Sequence, residues 1–169
     1  MYAVPDKAVI ILNKKVRLKE LIIALAIPLA AGGLSAFITK DAMKSFQTLR
    51  QPPLSPPAWL FPVVWTLLYL LMGLASYLVL TSGASEPRRE KALTAYALQL
   101  AANFCWSVIF FSLRLYLTAF IWLLVLWVFI LISTVMFFYI RKSAGRLLIP
   151  YLAWVTFAGY LNLGVYLLN

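Results

Sequence analysis

The chain has 169 residues, 64% of them hydrophobic and only 12% charged, where an average globular protein is about a quarter charged. A mean hydropathy of +0.91 is more than a soluble domain of this length can hide, and a bilayer helix takes roughly 20 apolar residues. The composition therefore excludes a soluble enzyme and fits an all-α membrane protein of four or five spans. The formal charge of +10 does not argue for nucleic acid as a partner, because most basic residues flank apolar runs, as bilayer topology requires.

Residues 1–17 read as a polar, basic tail carrying Lys7, Lys14, Lys15 and Arg17, and residues 18–169 as one five-helix transmembrane domain. The first apolar run covers about 18–39. It is longer than the core of a cleaved signal peptide, so it is read as a retained helix. Pro28 should kink it, and Gly32 with Ala36 gives a small-xxx-small pair suited to close helix contact.

A loop over 40–55 leads into "QPPLSPPAWLFPVVWTLLYLLMG", residues 51–73. Proline lacks an N–H and is tolerated in a first helical turn. Pro56 and Pro57 thus suit a helix entry, with Ser55 as N-cap. Pro52 and Pro53 stiffen the approach. Two readings stand: a rigid entry device, or a lid, since long ordered loops are often functional. The second run, about 56–80, sets Trp65, Tyr69 and Gly73 on one face. Trp59, near its start, suits an interfacial belt.

A polar loop, 81–90, precedes the third run over 91–113. Here Gln99 and Asn103 stand four apart, followed by Trp106 and Phe110, while Ala97 and Ala101 form another small-xxx-small pair. A tight turn near Arg114 leads to the fourth run (117–140), and a basic turn (141–146) to the fifth (147–168), which carries Trp154, Ala158 and Asn162. Aromatic faces with a few amides suit a flat, mostly apolar ligand. Ordinary helix packing is the competing reading. Likewise the amides, costly in hydrocarbon, either bond across helices or face a ligand.

The chain has no histidine, one cysteine (Cys105) and five acids, none mid-span. Metal-site spacings and acid–base constellations are absent, and a carboxylate proton relay has no support. Eleven Lys/Arg fall on one side of five spans and four (Lys40, Lys44, Arg50, Arg114) on the other. The positive-inside rule then places the N-terminus in the cytoplasm, and the proline-rich loop and C-terminus outside, for a prokaryotic cell membrane.

The segments "PPAWLFPVVWTLLYLLMGLASYLV" and "LLIPYLAWVTFAGYLN" resemble the TspO/translocator protein family, also called tryptophan-rich sensory proteins or peripheral benzodiazepine receptors. The likeness runs from about residue 28 to the end. It implies a five-helix bundle, usually a homodimer, binding porphyrins such as protoporphyrin IX or haem as ligands, with no cofactor required. It implies a site lined by Trp65, Tyr69, Asn103, Trp106, Phe110, Trp154, Ala158 and Leu161, with Pro52, Pro56 and Pro57 in the covering loop. Ala97 and Ala101 are the candidate dimer contacts.

The sequence departs from the family in the loop. Ser45-Phe46 stands where the family often has Trp-Tyr, Gln51-Pro52 where it often has Lys-Pro, and Leu54 where a further Trp is common. The aromatic–basic cholesterol pattern is incomplete, because no basic residue follows Tyr160 or Tyr166. Three functions follow from the resemblance: a tetrapyrrole receptor, sensor or transport-associated protein; a light- and oxygen-dependent porphyrin-degrading enzyme using Trp65 and Trp154; or a membrane scaffold.

Overall fold

The structure, a computed structural model, describes residues 17–46 and 48–169, with the side chains of residues 43–46 left outside that description. The basic tail over 1–17, Arg17 excepted, and the side chains of Ser45 and Phe46 therefore lie outside the described residues. Five helices are long and apolar enough to cross a membrane: α1 (Leu18–Phe46), α2 (Leu60–Leu80), α3 (Glu86–Ser107), α4 (Tyr116–Ile140) and α5 (Lys142–Leu168). The described residues contain no strand. In hydrocarbon only internally bonded backbone is stable, which is why apolar runs of this length become helices.

Several boundaries differ from the sequence reading. Helix α1 runs on to Phe46, which shortens the first loop, and α5 starts at Lys142 directly after Arg141. Helix α3 starts at Glu86, with Pro87 in its first turn. Helix α2 begins at Leu60 rather than near 56, and Ser55 is not its N-cap. Instead the Ser55 N–H and hydroxyl both donate to the Pro52 carbonyl, at 3.3 and 2.8 Å. Leu54, at φ 66°, takes the third position of that turn, the place in a type II turn where the backbone favours glycine. The proline in the first turn of α2 is Pro62, whose missing N–H would have no helical partner in any case.

Helices α4 and α5 form the most extensive pair, α1 packs chiefly on α2, and α3 packs on α4. The core is drawn from Met72, Val79, Leu126, Ile130, Phe137, Leu148, Tyr151 and Val165, all almost fully buried. Helix α1 is the least covered: its Ile22, Leu34, Phe37 and Ile38 are exposed, as expected of a helix flanked by lipid. Hydroxyls inside the spans return to their own backbone; Ser133 donates to the Phe129 carbonyl and Thr134 to the Ile130 carbonyl, both at 2.8 Å.

Glycine sets the α1–α2 seam. A Cβ on Gly73 would lie 2.8 Å from the Ala24 carbonyl oxygen and 2.9 Å from Leu25 Cα, both backbone atoms of α1. Pro28, four residues after Ala24 within α1, has no N–H to offer that carbonyl. Gly32, expected as half of a small-xxx-small pair, packs within the subunit against the Tyr69 ring, and Ala36 is exposed.

Gly73→Ala should destabilise the protein by about 1–3 kcal/mol, since the added methyl meets backbone that cannot move aside. Gly33→Ala meets nothing within 4 Å and should be neutral or slightly stabilising. Thermal unfolding in detergent measures both, and equal melting temperatures for the two variants would contradict this account of the seam.

Candidate functional site

The aromatic residues singled out from the sequence fall into two ring groups. In the first, Trp65 on α2 contacts Tyr69 (centroids 5.7 Å apart), Trp106 on α3 (6.4 Å) and Tyr151 on α5 (6.2 Å). Trp106 stacks on Phe110 at 5.4 Å, and Phe110 meets Tyr116 at 5.3 Å. In the second, Trp154 contacts Phe61 (6.1 Å) and Phe157 (5.7 Å), and Phe157 stacks on Tyr160 at 6.1 Å. Helical spacing could not show that Trp154, expected in one site with Trp65, belongs to a different ring group.

The first group is in mutual contact rather than arranged round an open space. Among the described residues two hollows stand out, and neither is lined by Trp65 or Trp154. One, of about 740 Å3, is an apolar groove between α1 and α3, lined by Ile27, Ala31, Ala97, Ala101 and Cys105 among others. The other is a recess of about 90 Å3 at the loop end, lined by Thr48, Phe110, Arg114 and Tyr116 among others. Ala97 and Ala101 are both exposed, so they face out of the bundle. Ala158 is half-buried against the core, and Leu161 is buried.

The three amides behave differently from one another. Asn162 is interhelical glue: its Oδ1 accepts from Trp106 Nε1 at 3.2 Å and its Nδ2 donates to the Tyr116 carbonyl at 2.8 Å. Asn103 is half-satisfied. Its Nδ2 donates to the Tyr69 hydroxyl at 3.2 Å, while its buried Oδ1 has no partner among the described residues. Gln99 is 1% exposed and neither of its amide atoms has a partner among the described residues. An unpaired buried polar group costs about 1–3 kcal/mol, so Gln99 and Asn103 weaken the ligand-free bundle. Buried Tyr151 adds a hydroxyl, and half-buried Trp154 a buried Nε1, without a partner among the described residues.

Other indoles have structural partners. Trp122 Nε1 donates to the Ala102 carbonyl and Trp127 Nε1 to Thr156 Oγ1, both at 2.8 Å, stitching α4 to α3 and to α5. Trp59 is 66% exposed near the start of α2, the position of an interfacial belt residue.

The proline-rich loop is fastened to α5 by three contacts. Pro52 is buried against Gly164, where a Cβ would come within 2.5 Å of the proline ring. The Tyr160 hydroxyl donates to the Pro53 carbonyl at 2.8 Å. Asn169 bonds both backbone polar groups of Arg50: Oδ1 accepts from the Arg50 N–H and Nδ2 donates to the Arg50 carbonyl, each at 3.0 Å. Pro56 is half-buried and Pro57 exposed.

Comparison with known proteins agrees with this architecture. The family model described as TspO/MBR family matches residues 24–167. The chain belongs to the TspO/MBR family. The tryptophan-rich protein TspO of Chlorobaculum tepidum is 37% identical over 158 residues, which cover 94% of this chain and 99% of that protein. The tryptophan-rich sensory protein of Cereibacter sphaeroides is 39% identical over 124 residues, 73% of this chain and 76% of its own length. The human translocator protein is 36% identical over 129 residues, 76% of each chain. This TspO/MBR chain is thus an integral membrane protein with prokaryotic relatives.

Sequence reasoning missed Tyr151, Phe61 and Tyr116 as members of the ring groups. Tyr151 was within reach, because it stands seven residues before Ala158 and eleven before Asn162, on the same face of α5. Phe61 and Tyr116 sit in the first turns of their helices, where facing depends on how the chain enters the bundle.

Replacing Asn162 by leucine leaves the Trp106 indole and the Tyr116 carbonyl without a partner and should cost about 1–3 kcal/mol. Gln99→Leu removes no bond and should leave the melting temperature unchanged or raised; a loss as large as that for Asn162→Leu would mean Gln99 is structural. Gly164→Val should lift Pro52 from α5, and limited proteolysis within residues 48–59 should quicken several-fold. Unchanged cleavage would mean the loop does not depend on this contact.

Proposed function

We propose that this TspO/MBR protein is a tetrapyrrole-binding membrane receptor or sensor, holding a flat apolar ligand such as protoporphyrin IX or haem against the rings of α2, α3 and α5 beneath the proline-rich loop. The observation that carries the reading is the meeting of Trp65, Tyr69, Trp106 and Tyr151 from three helices, next to a buried amide oxygen of Asn103 with no protein partner. Rings stack on a planar ligand and the amide orients it. Because these rings touch one another, entry of the ligand parts them. The loop, held to α5 by separable contacts, is the element that opens. The printed names of the relatives, a tryptophan-rich sensory protein and translocator proteins, are in keeping with a binding role.

Two further parts of the reading rest on other features. The exposed Ala97 and Ala101 beside the apolar α1–α3 groove support a homodimer packed through small residues. The excess of eleven Lys/Arg over four supports a cytoplasmic N-terminus, with the loop and C-terminus outside.

Titration with protoporphyrin IX should quench tryptophan fluorescence and saturate in the roughly micromolar range. Trp65→Ala should weaken binding about tenfold or more, by loss of stacking area on a ligand-facing ring. Saturation at the same concentration in Trp65→Ala, in a protein that still melts cooperatively, would refute a ligand lying against this ring group.

A further inference from the structure

The aromatic group reaches the loop end of the bundle through Phe110, which stacks on Trp106 and meets Tyr116. There the helix widens into a π-turn over Val108–Ser112, closed by the Leu113 N–H donating to the Val108 carbonyl at 3.0 Å. Such turns are frequent at functional sites. Immediately beyond it Arg114 is held at φ 56°. That left-handed conformation costs a side-chain-bearing residue strain that glycine does not feel. The backbone therefore gives no reason for an arginine at this position, so the reason lies in the side chain.

Arg114 is exposed and lines the 90 Å3 recess together with Thr48, Phe110, Phe111 and Tyr116. The volume is that of about three water molecules, enough for a carboxylate. The guanidinium has no hydrogen bond or ion pair to any described residue. The sequence surrounds this end of the bundle with Lys40, Lys44, Arg50 and Arg114 against one acid, Asp41. The recess is preformed, in contrast to the closed ring group, and it shares Phe110 with that group.

We propose that Arg114 and this recess form a carboxylate subsite, which pairs with an acidic side chain at the edge of a flat ligand lying against Trp65 and Trp106. The proposal rests on the tetrapyrrole reading above and adds to it the ligand's orientation, with its acids toward the loop and its apolar edge inward. A planar guanidinium offers paired donors that match the two oxygens of a carboxylate. The subsite selects diacids over their neutral esters, and its charge–charge character makes the selection sensitive to salt.

The test compares protoporphyrin IX with its dimethyl ester by fluorescence titration of the native protein, Arg114→Gly and Arg114→Lys. Glycine suits the backbone at this position, so Arg114→Gly should melt at the same or a higher temperature, and weakened binding then cannot be ascribed to misfolding. The native protein should prefer the diacid about three- to tenfold, Arg114→Gly should lose that preference, and Arg114→Lys should recover part of it. If native protein binds both forms equally, or if Arg114→Gly keeps the preference, the subsite is overturned while the tetrapyrrole reading stands. If native protein binds neither form, the reading fails and the subsite with it.

Discussion

In a bilayer the protein has no water to complete its hydrogen bonds, and the rest of the structure follows from that constraint. It forces the apolar runs into helices. It sends buried hydroxyls back to their own helix, as at Thr39, Ser76, Ser133 and Thr134. It also makes the polar side chains between helices into joints: Trp122 to α3, Trp127 to Thr156, and Asn162 bridging Trp106 and the Tyr116 carbonyl. Against so complete a settlement, the unpaired amide of Gln99 and the unpaired oxygen of Asn103 stand out. Both lie on the buried face of α3, which also carries Trp106. Stability alone would place leucine there.

The same helix face carries bonded and unbonded polar groups within a few residues. Trp106 has its indole N–H tied to Asn162 while its ring lies against Trp65. Its indole is therefore held from two sides, by a hydrogen bond and by ring contact. Trp65 touches rings on α3 and α5, which makes the group sensitive to how α2 is seated. That seating depends on Gly73 against the α1 backbone and Gly32 against the Tyr69 ring. The lipid-facing helix α1 thereby helps to set the ring positions through its backbone and Gly32.

At the loop end, rigidity comes from covalent geometry and fastening together. Prolines limit the loop's freedom in any state, and its docking depends on Pro52 seated on Gly164, Tyr160 on the Pro53 carbonyl and Asn169 on Arg50. Strain is stored at Leu54 and Arg114, two side-chain-bearing residues at positive φ. Strain of this kind persists only where surrounding contacts hold it. Leu54 is 83% exposed, so its turn is held by Ser55 and Pro52 rather than by packing of its own side chain.

Composition and the length of the apolar runs determined the all-α class, the five spans and their approximate places, because helix length in a bilayer is set by hydrocarbon thickness. Helical periodicity also determined that Trp65 and Tyr69 share a face, as do Gln99 and Asn103. It did not determine the end of α1 at Phe46 or the start of α2 at Leu60, since proline-rich sequence is compatible with a turn as well as a first helical turn. Only tertiary structure decided that Trp154 pairs with Phe61 rather than with Trp65, that Asn162 is bonded while Gln99 is not, and that Gly164 receives Pro52. The physical reason is that a face is a local property of one helix. A partner depends on the rotation, crossing and depth of two helices, and those are fixed by packing across the whole bundle.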